Sequence, residues 1–408
     1  MDDTLYFGEQ HLQVREMVRQ FARDEVAPIA ARFDAEGTFP WETVRKMGEL
    51  GLLGIPWPEE LGGAGLDLIS YMIVIEELAK VDASHGLTVS AHTTLGTSPI
   101  VRFGTDEQKR RFVPPLASGR VMGGFGLTEP DAGSDAAGTK STAVRKGDRF
   151  VLNGTKRFIT HGGVGEIFVV TAVTDRKRGV KGITSFIVTK ETTDREAAER
   201  VGMGHAPELD PFTPGVRAGK KEDKMGWRAS DTRELLLDDA RVPVENRLGE
   251  EGQGFINFMK TLDAGRIGIG ALSLGLAQGA FDTAVEYIGG REQHGRPLRD
   301  AQGIQFSLAD MATEIAAARH LVYHAAWLKQ RNQPFAIPAS MAKLYASEVA
   351  MRTTTRAVQL LGAAGYTSEY PVERMMRDAK ICEIGEGTSE VQRLVIGRDL
   401  FRTADAPA

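Results

Sequence analysis

The sequence predicts an α+β fold of three consecutive domains: an N-terminal helical domain, a middle β-barrel-like domain and a C-terminal four-helix bundle. Apolar residues recur at the helical spacing before residue 121 and again after residue 254. Between these regions, glycine-rich turns separate short β-branched or aromatic runs, as in all-β domains. The length of 408 residues suits two or three domains of ordinary size.

The N-terminal domain, residues 1–121, is expected to be helical. Residues 10–26 repeat apolar side chains near the 3.6-residue period, which predicts an amphipathic helix. The same spacing predicts further helices at 41–53, 68–81 and 107–116.

The middle domain, residues 122–243, is expected to be a sheet. Strands are predicted at 123–127, 142–144, 149–152, 167–173 and 183–188. The pairs Gly147-Asp148 and Asn153-Gly154 predict hairpin turns. Segment 191–212 matches neither period and is rich in charge, Gly and Pro. We interpret it as a peripheral, mobile insertion, with a substrate lid as the alternative.

The C-terminal domain, residues 244–408, is expected to be a helical bundle. Helices are predicted at 254–287, 301–331 and 337–361, with a shorter one at 389–401. The first of them carries a stripe of small residues, which predicts close packing against another helix. The stripe consists of Gly265, Gly268, Ala271 and Gly275.

Composition and charge exclude several classes of protein. The chain has 50 Lys and Arg against 55 Asp and Glu, a net charge of -5, which argues against binding to bulk nucleic acid or an anionic membrane. Cys382 is the one cysteine, so an internal disulfide is excluded. The acidic start lacks secretory and transit patterns, and no apolar stretch reaches the roughly 20 residues of a membrane span. We therefore expect a cytoplasmic protein.

Several familiar motifs are incomplete in this chain. Residues 133–141 are similar to a P-loop but place a Thr between the second Gly and the Lys. The Gly268-Ile-Gly270 spacing of a dinucleotide fingerprint has no strand before it. His320 and His324 lack the Glu of a zinc-protease motif. We therefore predict no P-loop, no Rossmann domain and no metal site.

Three separated stretches together resemble the acyl-CoA dehydrogenase family. The first comprises GFGLTEPDAGS at 124–134 and NGTKRFITHG at 153–162, where strand ends open into turns with free N–H groups and hydroxyls. The second is LDAGR at 262–266, followed by REQHGRPL at 291–298. The third is QLLGAAG at 359–365, followed by the stretch 374–393, which contains GEGTSE. The resemblance spans nearly the whole chain, and the α, β, α order is also that of the family.

The resemblance implies FAD as the cofactor. The residues it implies on the flavin of the same subunit are Phe125, Gly126, Leu127, Thr128, Ser134, Phe158, Ile159, Thr160, Thr388, Ser389 and Glu390. Those it implies on the flavin of a neighbouring subunit are Arg291, Gln293, His294, Gln302, Gln359, Leu360, Leu361, Gly362 and Ala363. A shared cofactor implies a homo-oligomer, typically a tetramer in this family. His294 departs from the usual Phe and Ala363 from a common Gly.

Glu386 occupies the position of the family's catalytic base. On its own, a carboxylate here is also explained as stabilising the start of the helix that follows. Some family members place the base two residues after the Asp of the LD segment, and that residue here is Gly265. Glu386 is therefore the only carboxylate compatible with the family. The resemblance implies substrate contacts from Ser134, Asp263, Arg266 and Gly387.

The implied activity is α,β-dehydrogenation of an acyl-CoA thioester to the trans-2-enoyl thioester. Glu386 is expected to remove the α-proton, the flavin to accept the β-hydride, and an electron-transferring flavoprotein to accept the electrons. Three alternatives stay open: an acyl-CoA oxidase that uses oxygen, a related flavin enzyme on a non-CoA substrate, and a non-catalytic helical adaptor. The LDAGRIGIG run is more similar to short-chain and branched-chain members than to long-chain ones.

Overall fold

A computed structural model of the protein describes residues 5–404. Helices occupy most of the chain up to residue 117, a sheet follows, and long helices return from residue 254. The predicted α+β class and its α, β, α order are therefore confirmed. Residues 1–4, which include the acidic pair Asp2 and Asp3, lie outside the described residues.

The N-terminal region is helical, as predicted, and contains more helices than the periodicity indicates. Its helices are α1 (Glu9–Phe21), α2 (Ala27–Glu36), α3 (Trp41–Glu49), α4 (Leu68–Ala79), α5 (Ala83–Ser90), α6 (Ser98–Phe103) and α7 (Asp106–Ala117). The predicted helix at 10–26 corresponds to α1 together with the π-helical turn Ala22–Val26. Helix α5 was not predicted because it is buried along its whole length. A helix without a polar face shows no alternation of apolar and polar residues at the helical period.

The middle region is a single sheet, which has eight strands within residues 5–404. The strands are β1 (Gly123–Gly126), β2 (Thr142–Lys146), β3 (Arg149–Thr160), β4 (Ile167–Val173), β5 (Ile183–Thr189), β6 (Val216–Lys221), β7 (Thr232–Pro243) and β8 (Arg247–Leu248). Their order is β6-β7-β3-β2-β4-β5-β8, and β1 pairs in parallel with β4. All five predicted strands are confirmed. Strand β7 was missed because its acidic residues interrupt the apolar alternation.

One of the two predicted hairpin turns is wrong. Gly147 and Asp148 do form the turn between β2 and β3, where Lys146 pairs with Arg149. Asn153 and Gly154 instead lie inside β3, at a bulge in its pairing with β7. A Cβ at Gly154 would overlap Ser141 Oγ, so the glycine serves a close strand approach and not a turn.

Segment 191–212 contacts the rest of the molecule through a few buried side chains, while half of its residues are exposed. It contains the short helix α8 (Arg195–Arg200) and buries four apolar side chains. The Trp41 indole N–H donates to Asp194 Oδ2 at 2.7 Å, which joins the segment to α3. The segment's four buried apolar residues are too few and too irregularly spaced to produce a helical or strand period in the sequence. The buried residues are Ala198, Met203, Ala206 and Leu209.

The C-terminal region contains the predicted bundle. It comprises α9 (Gly254–Gly290), α10 (Gln302–Gln330), α11 (Ala336–Leu361), α12 (Ala363–Tyr366), α13 (Val372–Cys382) and α14 (Ser389–Ala404), with the hairpin β9 (Glu292–Gln293) and β10 (Arg296–Pro297) after α9. Arg393 donates to Glu348 Oε1 at 2.6 Å and so fastens α14 to α11. In the described part of the chain, no helix is both long and apolar enough to cross a membrane.

Small residues of α9 allow it to pack closely against the N-terminal helices, as predicted. A Cβ at Gly275 would overlap the Glu76 carbonyl oxygen on α4. A Cβ at Gly268 would lie 2.8 Å from Ser90 Oγ on α5. The main apolar core is continuous through these contacts and includes residues of α4, α9 and α11. The N-terminal helices and the bundle therefore share one core.

A buried ion pair holds the segment after β1 against β3. Lys156 Nζ, which is fully buried, donates to Glu129 Oε1 at 2.7 Å. The Glu129 carboxylate also accepts from the Lys140 N–H at 2.6 Å and the Ser141 N–H at 3.1 Å. Burial alone would raise the pKa of Glu129, but Lys156 and these donors outweigh burial and lower it to about 2.

We expect Glu129→Ala to lower the free energy of unfolding by about 3 kcal/mol, because it leaves the Lys156 ammonium buried without its partner. The matched control is Asp131→Ala, whose partner Lys140 is exposed, and it should cost under about 1 kcal/mol. Denaturant unfolding of both variants measures the difference. Equal losses in the two variants would contradict a structural role for the buried pair.

Candidate functional site

The Glu386 carboxylate lies directly against the backbone of α9. A Cβ added at Gly265 would overlap Glu386 Oε2, so a side chain at 265 is incompatible with the carboxylate in this place. Gly265 and Glu386, the two positions at which the resemblance allows a catalytic base, therefore face each other. Only Glu386 carries a carboxylate.

The loop that carries Glu386 has an unusual backbone. Glu386 has φ 52° and Gly387 has φ 95°, so both lie in the left-handed region, which costs energy for a residue with a side chain. Lys343 Nζ donates to the Gly387 carbonyl oxygen at 2.7 Å, and Gln392 Nε2 donates to the same oxygen at 2.9 Å. Lys343 and Gln392 are both fully buried. These two side chains hold the loop in the conformation that turns the carboxylate toward α9.

The surroundings of Glu386 make its carboxyl a weaker acid than usual. Its Oε2 is buried and has no hydrogen-bond partner among the described residues. Burial raises the pKa of Glu386 to about 7, although the positive charges of Lys343 and Arg266 act in the opposite direction. A carboxylate with a pKa near neutrality can accept a proton and release it again, as a general base requires.

The backbone N–H of Glu386 is also available. Among the residues that the structure describes, it donates no hydrogen bond. A free N–H beside a basic carboxylate can bind an oxygen that becomes negative when the carboxylate removes a proton.

Asp263 and Arg266 form an ion pair on α9, on either side of Gly265 in the sequence. Arg266 Nη1 donates to Asp263 Oδ1 at 2.8 Å and to Ser340 Oγ on α11 at 3.1 Å. Arg266 Nε is buried without an acceptor in the described structure. Burial raises the pKa of Asp263, and Arg266 opposes that rise. This pair can therefore still form hydrogen bonds with a ligand, and it lies on the helix that faces the base.

The strand ends of the β domain come together as predicted. The Arg157 N–H donates to the Thr128 carbonyl oxygen at 2.8 Å, which places the end of β1 beside the end of β3. Gly126 allows this approach, since a Cβ there would lie only 3.2 Å from Lys156 Cγ on β3. The residues so gathered are Phe125, Gly126, Leu127, Thr128, Phe158, Ile159 and Thr160.

Phe158 presents an aromatic ring to solvent at this place. Its φ is 58° and its side chain is 57% exposed, whereas the next residue, Ile159, is 2% exposed. The pairing of β3 with β7 shifts between Lys156 and Ile159, which turns Phe158 outward. The Phe125 ring stacks on Phe258 of α9 with centroids 4.0 Å apart, so it connects the sheet to α9.

The remaining nearby residues lie at the start of α14 and in a turn. Thr388 Oγ1 accepts from the Val391 N–H at 3.3 Å and caps α14. Ser389 is buried with no partner for its Oγ in the described structure, and Glu390 is exposed. Ser134 is exposed in the turn that follows β1. The Gly387 carbonyl is already occupied by Lys343 and Gln392.

A second group of predicted residues lies at the opposite end of the bundle. Arg291, at the end of α9, is about 39 Å from Gly265 along the helix axis at 1.5 Å per residue. The Tyr287 and Tyr370 rings, 5.3 Å apart, place the end of α9 beside the chain that follows α11. Leu361 is buried and Leu360 half-buried, and the other members are exposed. Those exposed members are Arg291, Gln293, His294, Gln302, Gln359, Gly362 and Ala363.

Two functional candidates were not identified from the sequence. Lys343 interrupts the buried, small-residue face of α11, between Ala342 and Ala346. Because lysine is rarely buried, a lysine at such a core position could have indicated a functional residue. Gln392 lies within the quoted third stretch but was given no role. Its contact with the Glu386 loop depends on how α14 packs, which periodicity does not report.

Three sequence models of protein-family domains match the chain. They are described as acyl-CoA dehydrogenase, N-terminal domain, over residues 8–120, middle domain over 124–240, and C-terminal domain over 252–401. A short-chain specific acyl-CoA dehydrogenase from Clostridium acetobutylicum is 52% identical over 394 residues, which cover 97% of this chain and 98% of that protein.

Solved structures give the same result. Butyryl-CoA dehydrogenase from Megasphaera elsdenii superposes with a TM-score of 0.91 at 45% identity, covering 98% of this chain and 100% of that chain. A chain in a structure described as the electron transferring flavoprotein of Acidaminococcus fermentans also has a TM-score of 0.91, at 47% identity, with the same coverage.

We expect Lys343→Met to raise the pKa of Glu386 above its present value of about 7, because a positive charge that favours the carboxylate is removed. Losing one donor to the Gly387 carbonyl should also cost about 1 kcal/mol of stability. Infrared difference spectroscopy of the protonated carboxyl band, with Glu386→Gln to identify the band, measures the pKa. The control Lys343→Arg keeps the charge and should move the pKa less. An unchanged or lower pKa in Lys343→Met would disprove this electrostatic role.

Proposed function

The chain belongs to the acyl-CoA dehydrogenase family, and from this premise we propose that it oxidises a short-chain acyl-CoA thioester to the trans-2-enoyl thioester, with Glu386 as the base. The observation that carries the proposal is the position of the Glu386 carboxylate, which has a buried, unpartnered Oε2 against the bare backbone at Gly265. The likeness to the short-chain enzyme of Clostridium acetobutylicum and to butyryl-CoA dehydrogenase supports the short acyl chain.

The proposed role of Glu386 is to take the α-proton of the thioester onto its carboxylate. The α-carbon then carries negative charge, which the thioester carbonyl oxygen shares. The free N–H of Glu386 is positioned on the same residue to donate to that oxygen, and such a donor is worth roughly 3 kcal/mol in the transition state. With a pKa of about 7, the carboxyl is mostly ionised above neutral pH and can begin the reaction.

Two features of the described residues support FAD as the cofactor. The exposed Phe158 ring, held outward by the bulge in β3, offers a flat surface next to Thr128 and Thr160. The buried Ser389 Oγ lacks a partner and is available to a polar group of the cofactor. FAD bound here supplies the acceptor for the β-hydrogen, which leaves with its electron pair as the carbon–carbon double bond forms.

We further propose that each flavin is held by two subunits. Arg291, Gln293 and their neighbours at the far end of the bundle lie too far along α9 to reach the flavin beside Glu386 in the same chain. Their exposure leaves them free to contact a second copy. A homo-oligomer, in the form of a tetramer, accounts for both groups of residues.

The proposed electron acceptor is an electron-transferring flavoprotein. The support is the close structural likeness to a chain in the structure described as that flavoprotein from Acidaminococcus fermentans. Oxidase activity would be recognised by rapid reoxidation of the reduced enzyme in air with release of peroxide.

We expect Glu386→Gln to keep its bound FAD but to lose bleaching of the flavin by butyryl-CoA by about 100-fold or more, since an amide cannot take the α-proton. Anaerobic stopped-flow absorbance measures the rate. Glu383→Gln, three residues earlier and paired with Lys380 at the surface, is the matched control and should bleach normally. Normal bleaching by Glu386→Gln would remove the base assignment.

We expect Gly265→Ala to slow bleaching by about tenfold or more, because the added methyl group occupies the place of Glu386 Oε2 and displaces the base. Gly289→Ala, on the same helix with open space around it, is the control and should leave the rate unchanged. Flavin absorbance and thermal unfolding show whether both variants remain folded. A full rate in Gly265→Ala would show that the carboxylate works from another position.

A further inference from the structure

A cavity of about 520 Å³ lies between the start of α4, helix α6 and the turn that joins α10 to α11. Its walls include Trp57, Tyr71, Arg102, Lys329 and Phe335. None of these residues belongs to the base, the flavin contacts or the Asp263–Arg266 ion pair. We call it the Arg102–Lys329 cavity.

The cavity borders the surroundings of Glu386. Arg102 Nη1 donates to the Lys260 carbonyl oxygen at 3.0 Å, and Lys260 precedes Gly265 by about 7.5 Å along α9. Tyr71 forms part of the wall, and the negative charge of Glu386 adds to burial in raising the pKa of Tyr71. A ligand in the cavity would therefore lie on the side of the base toward the start of α9.

The opposite side of the base is closely packed. A Cβ at Gly268, one turn of α9 beyond Gly265, would lie 2.8 Å from Ser90 Oγ and 3.6 Å from Ile75 Cδ1. A bulky ligand group at the base must therefore extend toward Lys260 and the cavity.

The cavity holds two cations without a matching anion. Among residues 5–404, no carboxylate lies within ion-pair distance of Arg102 or Lys329. Burial lowers the pKa of both groups, and repulsion by Arg102 adds to this in lowering the pKa of Lys329 to about 8. Asp263 attracts Arg102 at longer range but is paired with Arg266. Like charges kept together in a cleft attract an anionic ligand.

The other polar groups of the wall do not neutralise these cations. Asp67 accepts from the Ser70 N–H at 2.8 Å and from Gln330 Nε2 at 2.9 Å, and it contacts His11 Nε2 at 2.8 Å. The buried Trp57 indole N–H has no acceptor in the described structure. The wall therefore offers two cations and a neutral donor, which suit phosphate oxygens.

We propose that the Arg102–Lys329 cavity binds the phosphate groups of the CoA part of the substrate, with Arg102 and Lys329 as the phosphate ligands. This inference rests on the proposed function, since it names how the thioester of that reaction is recognised. The cavity is a substrate-binding site in addition to the Asp263–Arg266 ion pair. Arg102 and Lys329 act in substrate binding and not in the chemical step.

The test compares butyryl-CoA with butyryl-pantetheine, which keeps the thioester and lacks the phosphates. Anaerobic bleaching of the FAD-bound enzyme is measured for wild type, Arg102→Gln and Lys329→Gln. We expect each variant to weaken butyryl-CoA binding about tenfold, with the bleaching rate at saturation and the binding of butyryl-pantetheine unchanged. The control is Arg331→Gln, whose guanidinium stacks on Trp327 4.4 Å from the ring centroid, outside the cavity, and it should bind both thioesters like wild type.

Calorimetry with free CoA on the same four proteins gives a readout that does not depend on turnover. We expect the two cavity variants to bind CoA about tenfold more weakly than Arg331→Gln. Equal weakening of both thioesters, or no weakening of CoA, would overturn the phosphate assignment. If the cavity variants lose binding of succinyl-CoA but not of butyryl-CoA, the two cations bind a carboxylate on the acyl group, and the phosphate assignment is wrong. If neither thioester bleaches the flavin of the wild-type enzyme, the proposed function is wrong. The calorimetry with free CoA still tests whether the cavity binds phosphate groups.

Discussion

The contact between the Glu386 carboxylate and the bare backbone of α9 is the constraint on which the site depends. It requires two things at once: a helix with no side chain at position 265, and a loop whose backbone turns the carboxylate toward that helix. The loop achieves this in a left-handed conformation that is unfavourable for glutamate in isolation. Buried donors from α11 and α14, Lys343 and Gln392, hold the loop carbonyls and stabilise that conformation. The packing of three separate helices therefore fixes one side chain.

Lys343, one of these donors, also affects the acidity of the base. A carboxylate buried without a hydrogen bond would be protonated far above its usual range, and two cations limit this effect to a pKa of about 7. Lys343 acts from the loop side and Arg266 from α9. Arg266 is in turn shared with Asp263 and Ser340, so its charge is partly balanced. Position and acidity are coupled because Lys343 contributes to both, so a change in its packing alters the chemistry.

Helix α9 links the parts of the molecule that lie far apart in the sequence. Its start stacks Phe258 on the end of β1, its middle faces the base at Gly265, and its end carries Arg291 on the far side of the bundle. One straight helix cannot bring both of its ends to one ligand. Under the proposed function, each chain therefore presents two partial cofactor surfaces, and pairing of chains would complete each of them.

The sequence by itself determined the α, β, α order and the long helices of the bundle, because helical periods and turn chemistry are local properties. Its resemblance to the family identified Glu386 as the candidate base. It did not determine that Asn153 and Gly154 lie at a bulge, that four apolar side chains of segment 191–212 are buried, or that Lys343 holds the Glu386 loop. Each of these depends on a contact between residues distant in the chain, such as that of Gly154 with Ser141. Only the tertiary structure decides such contacts, since they follow from how the elements pack and not from the spacing of residues within any one of them.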